Sequence, residues 1–166
     1  LIPLRFLLLK LMTRVGHGEL QILFGLALAF GGWDLFDMVD TALAGNARDS
    51  LRKLQGLRGE GTEPPVILWA LSREVRTLFD ARLDCDRGSS PQQALSARRV
   101  WKNRMGIMQA ALKRHDGDSA GELMQQLLAT DASIKGYGPG DAWQRLEKLV
   151  LAIATGQAVT TADRAG

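Results

Sequence analysis

Two histidines, one cysteine and scattered carboxylates are the groups in this chain that could support polar catalysis, and their spacing argues against it. His17 sits in a Gly16-His17-Gly18 turn. His115 falls at an expected helix C-terminus, where the partial negative charge of the helix suits an imidazole. Neither has cysteine or acidic neighbours at metal-ligand spacing, so no zinc site is legible. Cys85 has no second cysteine to pair with, and it reads as a bystander thiol of a reducing compartment. Serines such as Ser90 occupy caps and turns without a nucleophile elbow. The Asp34 and Asp37 carboxylates fit a helix N-terminus better than acid-base work. No P-loop pattern occurs, so the chain carries no nucleotide cradle. The expectation is a chain with no catalytic site, no cofactor and no metal.

Recognition is a better fit to the residue types. From Leu57 to Arg76 the chain reads LRGEGTEPPVILWALSREVR. At 100° per residue, Ile67, Leu68, Leu71, Val75, Leu78 and Phe79 fall on one face, with Trp69, Arg73, Arg76 and Asp80 on the other. Tryptophan with arginines at i+4 and i+7 is a composition that protein interfaces favour, through large contact area, stacking and forked hydrogen bonds. The competing reading packs Trp69 beneath another helix of the same bundle. In residues 95–115 the same projection gathers Val100, Trp101, Met105, Met108, Ala111 and Leu112, with Arg104 in the middle of that apolar face. A buried guanidinium needs a partner, and Glu74, at the border of the neighbouring face, is the candidate for a structural ion pair. Tyr137, the single tyrosine, lies in a glycine link two residues after Lys135. An exposed ring beside a cation could stack on a nucleic-acid base, and the alternative is an ordinary loop tyrosine packed on the bundle.

These residues must be carried by helices, because no run of alternating strand residues occurs. Leu35, Val39, Ala42 and Leu43 keep helical spacing up to a Gly45-Asn46 stop, and Leu51 and Leu54 begin a stripe that ends near Gly59. Pro64 and Pro65 open a third helix running to about Leu83, in the first turn, where a missing N–H costs nothing. Ser90 and Pro91 launch a long helix expected to reach His115. An HDGDS loop leads to the helix of Leu123, Leu127 and Ile134. After the flexible link GYGPG, Asp141 caps a last helix with Ala142, Leu146, Leu149, Val150 and Ile153 on one face. The fold class is all-α: a bundle of about five helices preceded by an apolar helical hairpin, with a polar, frayed tail over 157–166.

The 166 residues are 46% hydrophobic, enough for the core of one domain and a fragment of a second. The formal charge of +3 is too mild to argue for nucleic acid alone. Locally, however, 91–115 holds no acid while Arg98, Arg99, Lys102, Arg104, Lys113 and Arg114 fall there, either as a concentrated positive field or as a solvated face. Residues 1–33 contain Glu19 as their only acid, in runs such as FLLLKLM and LQILFGLALAF. Charge or glycine interrupts each run before the roughly 20 residues a spanning helix needs, so no membrane span is expected. A chain opening at Leu1 reads as a piece of something longer. A free-standing adaptor that self-associates or binds membranes through this apolar hairpin is the alternative class of function.

Three segments carry a family resemblance: LAGNARDSLRKLQGLRGEGTEPPVILWALSREVR, then RRVWKNRMGIMQAALKR, then IKGYGPGDAWQRLEKLVL. In order and spacing they resemble the delta-subunit family of the bacterial DNA polymerase III clamp loader. The resemblance implies that 34–156 is the C-terminal helical collar and that 1–33 is a remnant of the preceding AAA+-like lid domain, although family lid helices are more charged. It implies a non-catalytic role in sliding-clamp loading during DNA replication, within a DNA-directed DNA polymerase holoenzyme. The implied partners are the delta-prime and the gamma/tau ATPase subunits, with the sliding clamp contacted only through a domain this chain lacks. By the same resemblance Tyr137 faces primer-template DNA in the assembled loader, in the cytoplasm and near the nucleoid.

Overall fold

The computed structural model describes residues 32–157, and every described element is helical. The expected hairpin in 1–33 lies outside the described residues except at 32 and 33, as do His17 and all of the expected tail after 157. Seven α-helices and one 3-10 turn are described: α1 (Trp33–Leu43), α2 (Ala47–Gly59), α3 (Pro64–Asp86), α4 (Pro91–Ala97), the 3-10 turn (Lys102–Arg104), α5 (Met105–Arg114), α6 (Gly117–Ile134) and α7 (Ala142–Thr155).

Helix α7 is the axis of the bundle. It packs against α1, α2, α3, α5 and α6, and from Leu149 to Ala154 only Leu151 is not fully buried. A segment apolar on nearly all sides can only sit inside a ring of neighbours. Helix α3, the longest, buries Ile67, Leu71, Val75 and Leu78 and makes its most extensive contact along α6. Each fully buried leucine contributes about 1.5 to 3 kcal/mol relative to its exposed state.

The ends of the helices are set by local chemistry. Asn46, Ser90, Asp116 and Asp141 each accept a hydrogen bond from a first-turn backbone N–H, and Ser90 with Gln93 forms a reciprocal capping box. Helix α6 therefore begins at Gly117, inside the expected HDGDS loop, because the Asp116 side chain receives the Ser119 N–H at 2.8 Å. At the other end of α1, the Gly45 N–H returns to Ala42 O and the Asn46 N–H to Thr41 O, with Gly45 at φ +93°. That left-handed turn satisfies otherwise orphaned carbonyls and suits glycine, which has no Cβ.

The expected long helix from Ser90 to His115 is broken. After α4 the Arg99 N–H returns to Ser96 O and the Val100 N–H to Leu95 O, the same stop as at Gly45, but with Arg99 at φ +57°. Trp101 then takes extended backbone before the 3-10 turn. The break rotates Trp101 out of the apolar face: it is 74% exposed, while Met108, Ala111 and Leu112 are buried as the helical period requires. The split puts two helices, α4 and α5, where one was expected, which is part of why seven helices are described and not about five.

Candidate functional site

Arg104 sits at the crossing of α1, α3 and the 3-10 turn, half-buried between two carboxylates. Its Nη1 donates to Glu74 Oε1 at 3.1 Å and its Nη2 to Asp40 Oδ1 at 2.6 Å. Burial alone would push the guanidinium below its ordinary value, but the charges of Glu74 and then Asp40 reverse this, and the net direction is upward. The Glu74 side chain is only 10% exposed, so the group is a structural clamp that neutralises a carboxylate inside the bundle.

The basic run of 91–115 does not form one positive face. Arg98 is paired with Asp84 at the end of α3, and Arg104 is held as described. Arg114 donates to Leu43 O and Ile153 O, each at 3.2 Å, so one side chain caps the C-terminal carbonyls of α1 and α7. Arg99, Lys102 and Lys113 remain exposed. His115, beside it, is fully buried, with Nε2–H donating to Ile153 O at 2.9 Å and Nδ1 facing Ser119 Oγ at 2.7 Å. Burial pushes the imidazole below its ordinary value and keeps it neutral. The expected attraction of a helix C-terminus for an imidazolium therefore does not hold here: desolvation outweighs it, and the carbonyl takes a neutral N–H.

Trp69 is neither on an open face nor in the deep core. It is half-buried, with its ring edge-on to Phe36 of α1 at a centroid distance of 6.5 Å. Arg73 lies one turn on, half-exposed, with its Nε 3.9 Å from Glu74 Oε1. Trp69 and Arg76 also line an open groove between α3 and α6, whose other walls include Leu68, Leu127, Leu128 and Ile134. Leu128 is 64% exposed there. Arg76 is exposed and has no carboxylate within 4.0 Å among the described residues.

Tyr137 is 72% exposed on the α6–α7 loop, whose backbone is tied by local hydrogen bonds. The Tyr137 and Gly138 N–H groups both donate to Ala132 O, Ser133 Oγ donates to Gly140 O at 2.6 Å, and Arg145 Nη2 donates to Pro139 O at 3.0 Å. A Cβ on Gly138 would lie 2.8 Å from the Ala132 carbonyl carbon, so only glycine permits this close approach. Lys135 is near, but its Nζ is bound to Asp131 Oδ2 at 2.6 Å, and that hydrogen bond raises the ammonium above its ordinary value. Its charge is thereby partly neutralised.

Cys85 is a free, partly buried thiol packed against the core. Among the described residues no group of three or more His, Cys, Asp or Glu could hold a metal ion, and no helix is long and apolar enough to cross a membrane. What the arrangement offers is surface: a groove with an arginine at its rim, and two exposed aromatics, Tyr137 and Trp101, each near basic side chains. Sequence periodicity hid Trp101 because it assigned that residue to a continuous helix.

Residues 35–160 match the family described as the processivity clamp loader gamma complex DNA pol III C-term. The chain is similar to the DNA polymerase III subunit delta of Escherichia coli, with 35% identity over 117 residues, covering 70% of this chain and 34% of that protein. It is similar also to the DNA polymerase III subunit delta of Haemophilus influenzae, with 26% identity over 126 residues, covering 71% of this chain and 37% of that protein. The chain thus spans about a third of the length of the curated relatives it matches.

Proposed function

Because the chain belongs to the family of DNA polymerase III clamp-loader gamma-complex C-terminal domains, we propose that it is a non-catalytic assembly module in sliding-clamp loading. It holds a delta-type subunit beside delta-prime and the gamma/tau ATPase subunits, in the cytoplasm at replicating DNA. One observation supports this most. The half-buried Arg104 and Arg114 and the buried, neutral His115 are committed to internal structure, while Trp69, Arg76 and Leu128 line a groove open to a partner. Contact with the sliding clamp and catalysis of DNA synthesis belong to other parts of the assembly.

Tyr137 is the proposed contact with primer-template DNA in the assembled loader, held by its own loop for base stacking. Trp101, exposed beside the exposed Arg99 and Lys102, has the same composition and is proposed as a second platform. Lys135 contributes less, since a phosphate must compete with Asp131 for it.

Co-expression with a delta-prime subunit and an ATPase subunit, followed by size-exclusion chromatography, tests the assembly role. The expected outcome is co-elution in one complex, and co-elution weakened by Arg76→Glu without a change in Tm. Leu71→Ala, a fully buried leucine, is the contrast: it lowers stability by about 2 to 5 kcal/mol. Failure of the chain to join any complex that the complete delta subunit joins would overturn the assembly role.

A further inference from the structure

We propose that the groove between α3 and α6 receives an amphipathic helix of a neighbouring loader subunit, with apolar side chains on its floor and a carboxylate against Arg76. This rests on the assembly role above and specifies its partner chemistry. The wall from Pro65 to Arg76 spans about three helical turns, enough to seat a helix with anchors at i, i+3 or i+4, and i+7. The floor is apolar at Leu68 and Leu127, and Leu128 at the rim keeps most of its surface in water, which a solitary bundle gains nothing from.

Charge decides the polar part of the occupant. Of the three charged residues in the lining, Asp131 and Lys135 neutralise one another at 2.6 Å, leaving Arg76 as the uncompensated one. An exposed arginine two turns from a tryptophan, across from a leucine, is suited to a single carboxylate on an otherwise apolar face. One net positive charge over an apolar floor is a poor match for a phosphate backbone, which needs several cations. The backbone favours a helix over an extended peptide. Both walls are helices whose N–H and C=O groups are already paired, so a strand laid here would gain no backbone hydrogen bonds from the groove, whereas a helix satisfies its backbone internally.

The test is a photo-crosslinker, p-benzoylphenylalanine, at position 128 of a chain reconstituted with the delta-prime and ATPase subunits. Leu128 is exposed, so the replacement leaves the fold intact. The expected result is a covalent adduct to one of those subunits, mapping to a helical segment with Asp or Glu within one turn. Arg76→Glu should then lower adduct yield and co-assembly by about tenfold or more, and replacing the mapped acid with arginine should restore both. An adduct to a second copy of this chain, an adduct within residues 1–31, or no adduct in a complex that does form would overturn the groove proposal and leave the assembly role standing. Failure to form the complex at all would overturn both.

Discussion

Arg104 shows how one side chain can anchor three segments distant in sequence. Removing it leaves Glu74 charged and almost without solvent, so Arg104→Ala should destabilise the bundle by about 2 to 3 kcal/mol, below the figure for a fully buried pair because Arg104 is a quarter exposed. Adding Glu74→Gln should recover much of that loss by removing the stranded charge, and chemical denaturation of both variants checks this. Arg104→Lys should substitute poorly, since a single ammonium nitrogen lacks the two separate donor nitrogens that reach Glu74 and Asp40. His115 makes a pH prediction. Its folded value is depressed below the unfolded value of 6.5, so the unfolded chain binds more protons in that range and stability rises with pH. The contribution is complete above pH 6.5 and is lost as pH falls through the lower folded value. Tm of the wild type should fall as pH is lowered through this window, and His115→Gln, which does not titrate, should flatten that part of the profile.

Among the elements, α4 ends under strain. The turn that closes α1 carries glycine, but the equivalent position after α4 carries Arg99 at φ +57°, where a side chain crowds its own backbone. Arg99→Gly should therefore stabilise the protein by about 0.5 to 1 kcal/mol, the relief of strain exceeding the extra flexibility glycine gives the unfolded chain. A Tm that falls in this variant would show that the break between α4 and α5 is set elsewhere. The α6–α7 loop makes the opposite case. Gly138→Ala should displace the loop without altering the tyrosine ring, because the new methyl would meet backbone and not a movable side chain.

In the complete clamp loader, Tyr137→Ala should weaken binding to a primer-template junction by about 1 to 3 kcal/mol, with Tyr137→Phe retaining most of the affinity because the ring survives. Gly138→Ala should follow the alanine variant if the loop presents the ring, and Trp101→Ala should add a separate loss. Lys135→Ala should change the salt dependence by less than the roughly one unit expected for a full phosphate contact, because Asp131 already holds its ammonium. Equal junction binding by wild type and Tyr137→Ala at all salt concentrations would remove the DNA-contact proposal.

Sequence alone determined the elements that depend on neighbours within a turn or two: the apolar stripes of α3 and α7, the caps at Ser90 and Asp141, and the glycine stop after α1. The all-helical class follows, as does the family, since its segments keep their order. Tertiary structure alone decided what depends on distant partners. No period links Arg104 to Asp40, 64 residues away, or Arg114 to the carbonyls of Leu43 and Ile153. No glycine or proline announces the break at Arg99, whose left-handed turn is closed by backbone hydrogen bonds to Ser96 O and Leu95 O. Trp69 lies opposite the core stripe by its helical angle, yet α1 crosses α3 and sets Phe36 against it. Helical periodicity assigns a side chain to a face, but only the crossing of other helices determines whether that face is buried, paired or left open.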